Sequence, residues 1–299
     1  MTMLSSVRAQ LRTAARRLAR AGSRGRGSTV ARACLSLAAL AAASTGLVGC
    51  GGIPSDAVAQ VNGTAITTAA FEHWMHIAVA GTSGASPSAV AVPQPPDYTA
   101  CIAALAASAP KPAKGAKAPS HSQLKAQCER EYESLKTDTL GYLISADWLI
   151  GEASAQGVAL SDKQVHARLV SIARQDFPGK GSFERFLHSS PYTVSDLLLR
   201  IKLEMLSERL EHKALARATK VTQAQVASYY ASHRSRYAHK PLSAVSTSIK
   251  QELRSQDQER AFSAFKTAFR KRWTARTDCR AGYVVLECKQ YKTSGSAVR

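Results

Sequence analysis

From about Ser122 to Gln156 the apolar side chains of Leu124, Cys128, Leu135, Leu143, Trp148 and Ile150, among others, recur at intervals built from threes and fours. That spacing predicts one long amphipathic helix, with Gly157 as its stop. Three helices follow, each behind a hydroxyl able to cap it. Ser161 precedes one that runs to about Gln175, Ser182 a short one through Phe183 and Phe186, and Thr193 a longer one carrying Leu197, Ile201 and Leu206. Thr222, with Gln225 three positions on, forms a capping-box signature for a helix that carries Tyr229 and Tyr230 and ends near Tyr237. Pro241 opens the last helix, Leu242 to about Ala275, striped by Val245, Ile249, Leu253, Phe262, Phe265, Phe269 and Trp273.

The period changes toward both ends. Residues 57–67 alternate apolar and polar around Asn62-Gly63, which predicts a small β-hairpin. Thr67 or Thr68 then caps a helix with Phe71, Trp74, Met75 and Ala78 on its apolar side. Near the other end Gly282-Tyr283-Val284-Val285-Leu286 reads as a short strand. Residues 81–121, rich in Gly, Ser, Ala, Pro and Lys, read as a mobile loop. The fold class is therefore mainly α, with a hairpin at the front and a strand at the back.

The first 49 residues change the picture. They hold eight arginines and no Asp or Glu, and lead into a 16-residue apolar run from Ala33 to Val48. A membrane-spanning helix needs roughly 20 such residues, so a cleaved signal fits better. Leu47-Val48-Gly49-Cys50 resembles the bacterial lipobox, and that resemblance implies cleavage before Cys50 and lipidation of its thiol. The competing reading is an ordinary signal peptide that contains a cysteine. Arg16-Arg17 is a weak twin-arginine export signal. The expected address is the outer face of the cytoplasmic membrane, with 50–56 as a lipidated tether.

Removing eight arginines lowers the formal charge from +19 to +11 for residues 50–299. That balance suits an anionic membrane surface or acidic wall polymers, and export makes nucleic acid the least suitable partner. Beyond Cys34 and Cys50, four cysteines form two local pairs, Cys101 with Cys128 and Cys279 with Cys288. An even remainder in an exported chain reads as two disulfides. A zinc site made of all four lacks CxxC spacing.

Four segments carry a family likeness: VAQVNGTAITTAAFEHW from residue 58, FERFLHSSPYTVSDLLLRIKLEML from 183, VTQAQVASYYASHRSRY from 221 and PLSAVSTSIKQELRSQDQERAFSAF from 241. In this order they resemble the chaperone module of the SurA, PrsA and PpiD group of exported foldases. The resemblance implies a SurA- or trigger-factor-like helical module over 57–275, followed by a disulfide-closed strand and tail over 276–299. It also implies a chaperone for unfolded secreted polypeptides that needs no cofactor. In the family a parvulin isomerase domain sits between the third and fourth segments. Here only Ala238, His239 and Lys240 do, which leaves no positions for isomerase residues. Peptidyl-prolyl isomerase activity and a basic envelope adaptor are the alternatives.

Candidate chemistry is sparse. His73 and His76 share a helix three residues apart but lack a third metal ligand, and no GxSxG elbow or Walker loop is present. The candidate client-binding residues are Tyr229, Tyr230, Tyr237, Phe262 and Phe265, each of which also fits a core position. Arg254, Arg260, Lys266, Arg270, Lys271 and Arg272 read as a solvated basic face that could also hold the body near an anionic membrane.

Overall fold

A computed structural model describes residues 52–83, 92–109, 118–216, 220–238 and 240–292. The signal and lipobox expectations, Cys50 included, lie outside these residues, as do parts of the loop expected over 81–121. The described chain is mainly helical, with eight α-helices and one small antiparallel sheet.

β1 (Ala57–Val61) and β2 (Thr64–Thr67) form the expected hairpin. Asn62 and Gly63 both take positive φ, 48° and 88°. That is the turn whose twist matches a tight hairpin, which explains why Asn-Gly stands there. β1 is the central strand, and Ala57, Val58 and Ala59 are completely buried. Its other neighbour is β3 (Thr277–Cys279), antiparallel with Ala59 opposite Cys279. The start and the end of the fold thus share one sheet.

The strand expected at 282–286 is therefore displaced to 277–279. The later segment lies in turns, tied at Cys279–Cys288. It buries Val285 and packs the Tyr283 ring edge-on against Phe71. Val285 finds burial without a ladder.

α1 (Thr68–Ser83) follows β2 directly, with Thr67 Oγ1 accepting the Ala70 N–H at 3.1 Å. Phe71, Trp74, Met75 and Ile77 are buried against the sheet and α3 (His121–Ala155). The loop expectation for 81–121 is also corrected, because it contains a ten-residue helix, α2 (Thr99–Ser108). Cys101 and Ile102 bury one side of α2 on α3, where Cys101 is bonded to Cys128.

α3 is the spine. Ser120 and Gln123 cap it reciprocally, and its 35 residues span roughly 50 Å at 1.5 Å each. α4 (Asp162–Asp176) and α6 (Val194–Leu215) begin at the expected caps Ser161 and Thr193, each of which closes a capping box, with Gln164 and Asp196. α5 (Ser182–Ser189) is capped at Gly181 in the left-handed region, so Ser182 is the first helical residue and not the cap. The three enclose a core of Leu169, Ile172, Phe177, Phe186 and Ile201. α6 packs on α3 through Leu203, Leu206 and Leu210, opposite Ala146 and Ala153, whose small side chains allow close approach.

α7 (Gln223–Ser232) starts at the Thr222–Gln225 capping box. It ends sooner than expected, and a 3-10 turn, Arg234–Tyr237, completes the segment. α8 (Leu242–Thr274) then crosses back to the body. The crossing is fixed at Gly151, where an added Cβ would lie 2.1 Å from the Trp273 ring. Beside it Glu152, 1% exposed, accepts from Arg272 Nη1 (2.9 Å to each oxygen), Trp273 Nε1 (2.7 Å) and Gln156 Nε2 (2.6 Å). Trp148 Nε1 donates to Thr277 Oγ1, which donates to the Trp273 carbonyl, so α3, α8 and β3 meet in one bonded knot.

Candidate functional site

The candidate client-binding residues separate into three environments along α8. The tyrosines belong to a small lobe in which α7 packs on the first turns of α8. Val221, Val226, Val245 and Ile249 form its core, with the half-buried rings of Tyr229, Tyr230 and Tyr237 around them. Tyr229 donates its hydroxyl to Glu252 Oε1 at 2.6 Å, accepts from Arg236 Nη1 at 3.0 Å and stacks on His233 at 4.1 Å. The hydrogen bond to the Glu252 carboxylate raises the phenol's pKa. Tyr230 donates to the Lys240 carbonyl and stacks on Tyr237. These bonds fix the direction of each ring and leave one face of it at the lobe surface.

At the other end, Phe265 packs into the α3–α6 core, and Phe269 meets Trp148 edge-on at 5.9 Å. Phe265 is thus a core residue of the body. Phe262 differs, because it is half-buried yet belongs to no hydrophobic cluster among the described residues. Its ring stacks on Phe265 at 6.4 Å and lies under Lys266 Nζ at 4.9 Å.

Between Leu253, the last α8 residue in the α7 lobe core, and Phe265, the first in the body core, lie eleven residues. At 1.5 Å each they cover about 16 Å of helix without a core partner. The hollow beside this stretch is shallow, bounded by Gln225, Ser228 and Tyr229 of α7 and by Leu253, Asp257 and Arg260 of α8, with Arg260 paired to Asp257. The Tyr229 ring and Leu253 beside the paired Asp257 and Arg260, with Phe262 further along α8, give a surface of mixed polarity that can take an extended segment. Sequence periodicity could not separate these roles, since one stripe at helical spacing runs through the lobe, the open stretch and the body.

The histidine expectation resolves differently. His73 Nε2 lies 2.9 Å from Asp196 Oδ1, joining α1 to α6. Asp196 Oδ2 meanwhile accepts from the Thr193 N–H and hydroxyl. Among the described residues no group of three His, Cys, Asp or Glu side chains could hold a metal. Nearby, the buried Tyr142 hydroxyl has no hydrogen-bond partner, and burial pushes its pKa up to about 12.

The basic face also divides. Arg272 is bound to Glu152, whereas Arg270 and Lys271, with Thr267 and Thr274, line a second shallow hollow completed by Lys289. Sequence reading placed Arg270 and Lys271 on a solvated face and missed Lys289, which the Cys279–Cys288 closure brings back beside α8. No described helix is long and apolar enough to cross a membrane.

No model of a known protein family matches this chain, and neither a curated protein nor a solved structure matches it, so the likeness to exported foldases rests on the four quoted segments alone.

Proposed function

We propose that this chain is a lipid-anchored, extracytoplasmic chaperone that holds extended segments of unfolded secreted polypeptides along α8, without a cofactor. The observation that carries the reading is the stretch of α8 between the α7 lobe and the body that enters no described core, with Tyr229 lining the hollow beside it and Phe262 within it. Further support comes from two disulfides, which suit an oxidising envelope, and from the lipobox-like Leu47-Val48-Gly49-Cys50. The hairpin and the end of α8 share one core, a packing compatible with the family likeness. An energy-independent holder must bind weakly and release, and a shallow hollow suits that better than a deep pocket.

The test is suppression of aggregation of a reduced, unfolded client by the mature chain at near-stoichiometric ratio. Phe262→Glu should keep the fold, since Phe262 lies outside the described core clusters and meets them only through its 6.4 Å stack on Phe265, and should weaken suppression several-fold. A folded protein that suppresses nothing would overturn the reading. Activity equal in Phe262→Glu and the parent would move the site away from α8.

A further inference from the structure

Only five large apolar side chains are well exposed among the described residues, and three fall within one short segment: Val284 (40%), Leu286 (46%) and Tyr291 (43%). The segment is not loose. Cys279–Cys288 closes it, Val285 and Cys288 are buried in the main core, and Lys289 N–H donates to the Thr277 carbonyl. With Val285 turned inward, its neighbours Val284 and Leu286 are held out to solvent. Such a cluster on a firm support marks contact with another surface.

Two observations say which surface. The first is the tether. Arg280 Nη2 donates to the Pro54 carbonyl at 2.6 Å and Arg280 N–H to the Val58 carbonyl at 3.0 Å, so the segment's first residues are bonded to the entry of the fold. Pro54 is four residues from Cys50, a reach of at most about 14 Å of extended chain. The second is charge. Arg270, Lys271 and Lys289 line the hollow at the end of α8, and Arg280 and Lys292 lie in the segment itself. Of the nearby carboxylates, Asp278 bonds Lys289 and Gln290, and Glu287 is half-buried beside Gly141 of α3. Exposed apolar side chains on a segment that also carries cations suit the interface of an anionic leaflet.

We propose that the disulfide-closed C-terminal segment is a membrane-docking surface. Val284, Leu286 and Tyr291 enter the leaflet interface, while Arg270 and Lys271 hold lipid phosphates, with Lys289, paired to Asp278, beside them. The orientation rests on the lipid-anchor reading of Cys50. A second contact this close to the anchor works at high effective concentration, so a weak one suffices. It stands the body on the membrane with the α7 lobe at the far end of a helix about 50 Å long.

The test uses the full chain reconstituted into phosphatidylglycerol vesicles with brominated acyl chains. Leu286→Trp is the reporter, Val284→Trp the second, and Val170→Trp, exposed on α4, the control. The native tryptophans are buried and give a constant background. Quenching should be several-fold greater at 286 and 284 than at 170. It should fall when Arg270, Lys271 and Lys289 are all changed to Gln. Equal quenching at 286, 284 and 170 would overturn the proposal. So would a residue 286 shielded from aqueous quencher yet untouched by brominated lipid, which would mean a protein partner or second copy covers the patch. The mass of the N-terminal peptide tests the anchor separately: an unmodified Cys50 sinks the anchor reading, whereas quenching at 286 still decides the docking surface.

Discussion

Two carboxylates on α3, five residues apart, show how much a single position depends on its partners. Burial would raise the Glu152 pKa, but bonds from Gln156, Trp273 and Arg272 outweigh it and hold the carboxyl below its ordinary value. Its contribution to stability is present above the unfolded-state pKa and is lost as pH falls through the lower folded value. Asp147 has no such bonds, and burial pushes it up to about 6. Its charged form is therefore disfavoured in the fold, and the cost appears as pH rises above the unfolded value of 3.8 toward and past 6. Asp147→Asn should stabilise the protein by about 1–3 kcal/mol near neutral pH and by almost nothing at about pH 4. Thermal melts at the two pH values check the sign, and an equal gain at both would contradict it. Neither role was legible in the sequence: Gln156 lies one turn from Glu152, but Trp273 and Arg272 reach it from 121 and 120 residues away.

At the scale of elements, local chemistry was readable and long-range chemistry was not. The capping boxes at Ser161, Thr193 and Thr222 set three helix starts within the residues themselves, so pattern alone found them. α2 escaped because its alanines sit in a segment coloured by Pro, Gly and Lys, and its apolar side is only Cys101, Ile102 and Leu105. Val284 and Val285 have strand-like composition, yet β1 offers its edge to Thr277–Cys279 instead. A helix as short as α2 is marginal alone. Its bond to α3 spans 27 residues, and a loop of that length implies about 3 kcal/mol of stabilisation. The double change of Cys101 and Cys128 to Ser should therefore lower global stability by about 3 kcal/mol and abolish amide protection in residues 99–108. Hydrogen exchange reads both effects, and retained protection would show that Ile102 packing alone holds α2.

Across the whole molecule, α8 joins two bodies with separate cores. The α7 lobe shares no core residue with the rest, so it can open while α3, α6 and the sheet stay folded. Ile249→Ala, at a fully buried position, should destabilise that lobe by about 2–4 kcal/mol. Exchange in residues 223–253 should accelerate while the main melting transition holds within a few degrees, and a matching fall in the main transition would show one cooperative unit. The candidate site was half legible: pattern named Tyr229 on one helix and Phe262 on the next, but only the packing showed that Phe265 is spoken for and that the span before it enters no described core.

The pairing of β1 with β3 also has a consequence in time. A chain made from its N-terminus holds residues 57–61 early, yet the strand that completes their pairing comes some 220 residues later. Contacts so distant in sequence form slowly, and until residue 277 exists the hairpin lacks one neighbour and the Trp273 knot cannot tie. The body therefore closes only after residue 277 has been made, and until then the first strand waits with one edge unpaired.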